Sequence, residues 1–446
     1  MDAMNWLEAD ATAQADALAR SDIRSEALTQ ALLQRIAATQ ARYNAFLHVD
    51  AQGALAAARA SDARRAAGRT ASALDGVSLA VKDNIDVAGM PTTAGMATRR
   101  GRLATEDAFV VQRLRAAGLV ILGKLNMHEA ALGATNDNPH FGRCEHPQHQ
   151  GFTPGGSSGG SACAVAAGLC ALALGTDTMG SVRLPASYCG VLGLKGSYGV
   201  VSTRGSVACG YGLDHIGPLT RSLRDLRALW PLMAQHDGRC ADARRVTAHP
   251  PIAEPRWLAP LDLRVLGVDE SASHAFGNAL QTLQARGDTV QRVDLATYDF
   301  GRARRAGLLV VEADLLVEHA ADWQGRRADF SPELERFMGR AERQPAAAYA
   351  AALRTLAQAR VEVERWWSMG DVMLLPTTPQ TAFAFGRPVP ANQADLTSIA
   401  NMAGVPAISL PLPVPAGALP IGLQAIAPEG HEATLLHLDL PGVTRP

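Results

Sequence analysis

Apolar and polar positions alternate through Val77-Ser78-Leu79-Ala80-Val81-Lys82, with Val77, Leu79 and Val81 on one side and Ser78, Ala80 and Lys82 on the other. A period of two predicts a strand. A strand that ends in lysine and runs into Asp83-Asn84 predicts a sheet edge opening into a site. Ahead of it, residues 10–67 are dominated by Ala, Leu and Arg and predict helices, with Asp22 or Ser25 capping the second. Beyond it the pattern predicts a loop over 91–95, a helix near 106–117 and a strand at 119–122. Residues 126–152, polar and rich in His and Pro, predict a loop over the surface. A helix starting at Ser161 feeds a strand that stops at Gly175, and 190–200 predicts a strand and turn. Residues 214–219 predict a tight packing turn, and a helix follows Ser222 to about Gln235.

Residues 238–260, rich in proline and of mixed charge, predict a linker or surface excursion. A strand–helix–strand unit follows over 264–268, 272–286 and 289–295; residues 302–368 are helical and rich in arginine. Strands at 371–376 and 407–413, a helical turn from 399 and a short helix over 431–438 complete the pattern. Strands alternating with helices predict an α/β sheet covered on both faces. With no internal repeat and no second composition regime, the whole of 1–446 is read as one domain. Within it lie N-terminal helices (1–70), a core (71–235), a variable region (236–370) and C-terminal core strands with a short helix (371–446).

Composition narrows the function classes. The 47% hydrophobic content can bury a sizeable core, while a net charge of −1 and 5% aromatics leave neither a basic footprint nor a stacking platform for nucleic acid. The opening residues 1–8 lack the basic flank and apolar core of a signal peptide, and no segment has the roughly 18 uninterrupted apolar residues of a membrane helix. Six cysteines are too sparse for a disulfide framework at this length and read as reduced thiols. These features predict a cytoplasmic protein that binds neither membrane nor nucleic acid directly.

Lysine and arginine total 42, yet lysine occurs only at 82, 124 and 195, each on or near a serine-rich region. Arginine does not lose its proton in a protein, whereas a buried lysine can have its pKa lowered far enough to act as a base. The serine-rich region runs from Gly155-Gly156-Ser157-Ser158-Gly159-Gly160-Ser161 to Thr176-Asp177-Thr178-Met179-Gly180-Ser181-Val182-Arg183. No lysine follows the glycine run, so the phosphate-loop pattern is not met. Nor is there a G-x-S-x-G elbow. What remains is a serine nucleophile with a lysine base, because a free hydroxyl attacks poorly without a base in reach.

The glycine–serine run, T-D-T-x-G-S-V-R-L-P-A-S at 176–187 and the strand lysine in A-V-K-D-N resemble the amidase signature family. So do D-H-I-G-P-L at 214–219, L-L-P-T-T-P at 374–379 and G-L-Q-A-I at 422–426, and the resemblance spans residues 20 to 430. It implies one α/β domain around a mixed sheet of about eleven strands with helices on both faces. It also implies hydrolysis of an amide C–N bond with neither metal nor organic cofactor. Carried over position by position, the family's lysine falls on Lys82, its cis-peptide bridging serine on Ser157 and its nucleophile on Ser181. Spacing alone does not choose Ser157 over Ser158. The family's oxyanion-binding amides fall on Thr178, Met179, Gly180 and Ser181, and Asp177 with Arg183 reads as an ion pair supporting the turn. The family most often has glycine where this chain has Met179, so a side chain is expected to narrow the acyl pocket.

Plainer readings stand beside these. Ser181 and Lys82 taken alone read as a turn serine and a surface lysine paired with Asp83 or Asp86, and Lys124 and Lys195 as packing or hydrogen-bonding residues. His140, Cys144, His146 and His149 are spaced loosely like a zinc site but are interrupted by Pro147, and read as a solvated loop cluster. His215 reads as buried within its turn. Arg302, Arg304, Arg305, Arg336 and Arg340 read as a solvated helix face, with binding of a substrate carboxylate as the alternative. Within the family, N-P-H-F-G-R-C-E-H-P at 138–147 is closest in look to small-molecule amidases of the 1-carboxybiuret hydrolase kind. The rivals are the A-type component of glutamyl-tRNA amidotransferase, which works with a partner, and a non-catalytic binding protein. A homodimer or a complex with a small accessory protein is the association expected, with the short C-terminal helix exposing an apolar patch for it.

Overall fold

Alternation sends neighbouring strand residues into two separate cores: Val372 and Leu374 into one, Met373 and Leu375 into the other. The computed structural model describes residues 6–440; residues 1–5 and the Pro441 break, on which the readings of the chain's two ends partly rest, lie outside the described residues. Eleven strands form one mixed sheet in the order β1-β3-β2-β4-β6-β5-β10-β11-β9-β7-β8. They are β1 (Phe46–Val49), β2 (Ser78–Lys82), β3 (Val120–Leu125), β4 (Leu172–Asp177), β5 (Leu192–Lys195), β6 (His215–Thr220), β7 (Trp257–Pro260), β8 (Val290–Val293), β9 (Val372–Pro376), β10 (Ala407–Pro411) and β11 (Gly422–Ile426). β2 runs parallel to both β3 and β4, whereas β4 meets β6 antiparallel.

Helices cover both faces. On one, Leu28 and Leu32 of Ser25–Tyr43, Leu226 and Leu229 of Leu223–Met233, and Phe276 of Glu270–Arg286 join the first core. On the other, Val310 and Leu315 of Phe300–Glu318, Met338 of Pro332–Glu342, Leu356 and Trp366 of Ala346–Trp367, and Ile399 of Asp395–Ala403 join the second. Local chemistry sets their ends. Asp299 accepts the Arg302 amide at the start of Phe300–Glu318, and Ser331 accepts the Leu334 amide ahead of Pro332.

Several expectations are corrected. β2 is an interior strand, not an edge, and all five of its residues are buried. Residues 10–67 include β1, and 214–219, read as a turn, contribute β6, so paired hydrogen bonding overrides the Gly-Pro signal there. The strand expected at 264–268 is a 3-10 turn; the strand lies at Trp257–Pro260, inside the proline-rich stretch read as a linker. Residues 302–368 break into separate helices, two of them beginning at Pro332 and after Pro345. The 126–152 loop is folded inward: Asn126 donates to the carbonyls of Asn44 and Gly142, and Asn138 to those of Gly95 and Met127. Buried asparagines thus do for this backbone what water does for a surface loop. At the C-terminal end the helix is Glu432–Leu436, and Leu435, Leu436, Leu438 and Leu440 are all buried, so they present no apolar patch. Among the described residues no helix is long and apolar enough to cross a membrane.

Candidate active site

The parallel strands β2 and β4 end side by side, in a register that pairs Val81 with Leu174. That places Lys82, the last residue of β2, beside Thr176 near the end of β4. The Lys82 ammonium nitrogen Nζ lies 2.8 Å from Ser157 Oγ and 2.7 Å from Thr176 Oγ1. Asn84 Nδ2 also donates to Thr176 Oγ1, at 3.2 Å. Lys82 is fully buried, and burial pulls its pKa from 10.5 to about 7 against weaker opposition from Cys209, Asp177 and Asp214. The surface pairing with Asp83 is not formed: Asp83 faces Lys124 at 3.4 Å, and both are buried.

The crowded serines separate by their partners. Ser158 Oγ donates to the Thr176 carbonyl at 3.1 Å and accepts its amide at 3.3 Å, and Ser161 Oγ donates to the Leu174 carbonyl at 3.0 Å. Those two bind the glycine–serine run to β4. Ser157, preceded by a cis Gly156–Ser157 peptide, is the one that meets Lys82. Spacing leaves Ser157 and Ser158 open, and hydrogen bonding brings the first to Lys82 and the second to β4. Ser181 is close by: its carbonyl accepts the Ser158 amide at 3.3 Å, and it is partly exposed in a cavity that Gly156 also lines.

The Ser181 turn is folded around Asp177. The Asp177 carboxylate accepts the amides of Gly180 at 2.7 Å and Val182 at 3.2 Å, and meets the Arg183 guanidinium at 3.0 and 2.9 Å. Burial works to raise the Asp177 pKa, but Arg183 and Asn401 outweigh it and hold the group well below the usual carboxylate range. Arg183 continues to the Thr397 carbonyl, Gln424 Oε1 and Asn401 Oδ1, so the turn is fastened to β11 and to the helix Asp395–Ala403. Gly180 adopts φ +129°, and a Cβ there would meet Thr397 Oγ1 at 2.1 Å. Of the four amides expected to receive an oxyanion, that of Gly180 is engaged by Asp177.

A cavity of about 690 Å³ opens over Ser181. Met179 lines it, with a backbone outside the positive-φ region and its Sδ close to Gly307 of Phe300–Glu318. A side chain thus projects into the cavity without backbone strain. Arg304, Arg305, Arg336 and Arg340 also line it, and three of them, Arg305, Arg336 and Arg340, are exposed as a solvated face would be; Arg302 lies elsewhere. Their place beside Ser181 was not readable from the sequence, which grouped them only by their helices, because two separate helices bring them together.

The histidine-rich loop is otherwise engaged. His140 Nε2 bonds Glu129 at 2.8 Å, and His146 Nε2 donates to the Tyr188 carbonyl at 2.7 Å while its Nδ1 accepts two amides. Burial lowers the His146 pKa to about 4, so its ring is neutral. Among the described residues no group of three or more metal-ligating side chains converges. Lys124 and Lys195 are hydrogen-bonding residues in the core, and His215 is buried with Nδ1 donating to the Leu213 carbonyl at 2.7 Å.

This sheet, with a buried lysine, a cis-peptide serine and a second serine on an Asp–Arg-braced turn, defines an amide hydrolase class. The chain belongs to the Amidase family, whose model matches residues 27–436. It is 38% identical to the A-type component of the glutamyl-tRNA(Gln) amidotransferase from Anaeromyxobacter sp. (strain K), over 94% of this chain and 92% of that protein. Among solved structures it superposes with a TM-score of 0.90 and 32% identity on a component of a vestigial protein complex that reveals the evolutionary origins of an s-triazine catabolic enzyme, covering 98% of this chain and 99% of that one. Superposition on the corresponding A-type component of the glutamyl-tRNA(Gln) amidotransferase from Thermotoga maritima gives a TM-score of 0.77 at 30% identity, covering 93% of this chain and 90% of that one.

Proposed function

We propose that this protein hydrolyses the C–N bond of a small amide or carbamoyl-type molecule through an acyl-enzyme on Ser181. The observation that carries the reading is the buried Lys82 amine, 2.8 Å from Ser157 Oγ and with a pKa lowered to about 7. Neutral Lys82 takes the Ser157 hydroxyl proton while Ser157 takes that of Ser181, and Ser181 Oγ bonds to the amide carbon. The carbonyl oxygen becomes an oxyanion received by the Thr178, Met179 and Ser181 amides; one such donor typically lowers a barrier by about 2.7–4 kcal/mol. Collapse breaks the C–N bond, and the amine leaves with a proton from Ser157, which Lys82 replaces. Water, deprotonated by the same relay, then attacks the acyl carbon and frees the carboxylic acid. Asp177 and Arg183 hold the turn and take no proton. Nucleophile, base and oxyanion donors all belong to the chain, so these steps call on no cofactor. Six free cysteines fit a reducing, cytoplasmic setting.

A fluorophosphonate probe that labels the wild type and not Ser181→Ala, together with ammonia release from small amides that both Ser181→Ala and Lys82→Met abolish, tests the reading. Labelling at another residue, or turnover surviving in Ser181→Ala, would overturn it. A second reading, a glutaminase component supplying ammonia to a partner, is favoured by the 38% identity to the Anaeromyxobacter protein. Release of ammonia from glutamine, raised by an accessory protein and unmatched by other amides, would favour it over the first.

A further inference from the structure

Sheet register brings one acidic residue to the rim of the Ser181 turn without giving it a place in the cavity. β4 and β6 pair Asp177 with His215, so the next residues out, Thr178 and Asp214, face each other across the end of the ladder. Asp214 opens the D-H-I-G-P-L motif, and the proton relay leaves it unused. Its Oδ1 accepts the Thr178 hydroxyl at 2.6 Å, and its Oδ2 accepts the amides of Cys209 at 2.7 Å and Gly210 at 3.1 Å. The next amide, that of Tyr211, goes to Asp314 of Phe300–Glu318 at 2.8 Å. Thr178 and Cys209 line the cavity, and Asp214 does not.

An aspartate that only closed its own loop would need no bond beyond those two amides. The bond to Thr178 joins the loop to the Ser181 turn. A Cβ on Gly210 would meet Thr178 Cγ2 at 3.0 Å, so Thr178 is held at its methyl as well as at its hydroxyl. Two branches fixed on one Cβ fix χ1, and they hold the Cα beside which the Thr178 N–H projects. Across the turn, Asp177 anchors the amides of Gly180 and Val182. We propose that Asp214 is a positioning residue for the hydrolysis, holding the Thr178 amide where the oxyanion forms by gripping the Thr178 hydroxyl. This rests on the amidase reading given above and adds a residue to the same site. The Asp214 charge also bears on Lys82, together with Asp177 and Cys209, while Asp314, Glu318 and Tyr198 lie within reach of the same charge. Its effect on Lys82 is to raise the pKa, so at about pH 9 the amine is neutral with or without it, and variants are compared there.

The test is phosphonylation of Ser181 by excess fluorophosphonate. Ser181 Oγ bonds to phosphorus, fluoride leaves, the hydroxyl proton passes to the relay, and the phosphoryl oxygen takes the oxyanion's place. Asp214→Ala and Thr178→Val should each lower the limiting rate constant by about 10- to 100-fold, with the half-saturating concentration held within about threefold. The double variant should lose no more than the larger single loss, because both changes break one link. Asp214→Asn should recover about tenfold or more over Asp214→Ala, since its carbonyl accepts the two amides while its NH₂ donates to the Thr178 hydroxyl. The serine labelled at completion counts folded sites, so a merely structural role would lower that count and leave the rate constant alone. Should Asp214→Ala not fold, Thr178→Val, which leaves the loop bonds in place, decides. A wild-type rate constant in Thr178→Val, losses that multiply in the double variant, or an asparagine variant no faster than alanine each overturn the inference and leave Ser181 as the nucleophile. If wild type labels at Ser181 yet releases no ammonia from small amides, the amidase reading falls, and the rate comparison still decides the role of Asp214. No labelling at Ser181 sinks both.

Discussion

Lys82→Met should stabilise this protein while abolishing its activity, and the gain should depend on pH in a way that identifies its origin. Burial lowers the Lys82 pKa from 10.5 to about 7. At about 1.4 kcal/mol per pH unit, holding the charged form inside costs the folded state about 5 kcal/mol. Below pH 7 both folded and unfolded chains carry the proton, and the whole cost is present. Between about 7 and 10.5 the unfolded chain keeps a proton that the folded one has released, so stability rises with pH. Above 10.5 both are neutral and the cost vanishes. Methionine has a similar shape and no charge, but forfeits the bonds to Ser157 and Thr176, a pH-independent loss of about 1–2 kcal/mol.

The difference between variant and parent should therefore be largest near pH 6. It should fall by about 1–2 kcal/mol by pH 8 and by about 4 kcal/mol by pH 10. Urea denaturation of both proteins at the three pH values measures it, and titrating groups that do not feel the Lys82 charge cancel in the difference, unlike Asp214 and Cys209. In parallel, wild-type kcat/KM should rise through an apparent pKa of about 7, since only the neutral amine accepts the Ser157 proton. A stability difference that stays constant from pH 6 to 10 would refute the claim that Lys82 is held largely neutral, whatever the activity data say.

The other predictions follow from distances. Ser157→Ala should lower kcat by about 10²–10⁴, the range of a lost proton-transfer partner, whereas Ser158→Ala should act mainly on stability because its hydroxyl serves β4; steady-state kinetics of the pair checks this. Arg183→Met leaves a buried Asp177 unpaired and should cost about 3–5 kcal/mol in denaturation, with serine labelling lost as the turn loosens. A Cβ on Gly307 would meet Met179 Sδ at 2.7 Å and Met402 Cε at 2.9 Å, both flexible ends, so Gly307→Ala should destabilise by no more than about 1 kcal/mol, relieved in part in a Met179→Gly background. Met179→Gly alone should widen the range of acyl groups accepted, and an unchanged substrate profile would count against Met179 as the wall.

The parts of this fold legible in the sequence are those governed by short-range rules. β2, β9 and β10 announce themselves by apolar runs and alternation, and Glu270–Arg286 by its Asp269 cap and closing Gly287. Interior position in the sheet is a different matter. β2 reads as an edge because it ends in lysine and runs into Asp83-Asn84, yet Ser78 Oγ accepts the Ala171 amide and Lys82 meets two hydroxyls, so polar side chains inside are satisfied by partners far along the chain. β6 is hidden by its Gly217-Pro218 pair, whose cost its two neighbouring strands offset. The proposed trio of Lys82, Ser157 and Ser181 is legible through motif resemblance. The arginines over the cavity are legible only as a group, not as a place, because 31 positions separate Arg305 from Arg336 and neither helix betrays where it packs.

Lysine placement separates the proposed base from the other two lysines. All three lysines are fully buried, and burial lowers the pKa of each, so a lowered pKa does not by itself single out a base. Hydrogen-bond inventory does. Lys124 donates to the Pro91 carbonyl and Thr92 Oγ1 and faces Asp83; Lys195 donates to the carbonyls of Gly196 and Val405. At Lys195 the two carbonyls and His215 Nε2, 3.4 Å away and left an acceptor because Nδ1 donates to Leu213, take all three hydrogens of an ammonium, and at Lys124 the Asp83 carboxylate supplies a countercharge. Among the described residues the hydrogen-bond partners of Lys82 are two hydroxyls, which donate as readily as they accept. Thr176 already receives Asn84, so it takes one Lys82 hydrogen and leaves the amine lone pair for Ser157. Arginine at 82 would offer no lone pair and would not release its proton. Arginine at 124 or 195 would fail for a different reason: a planar fork does not match acceptors gathered around a single point.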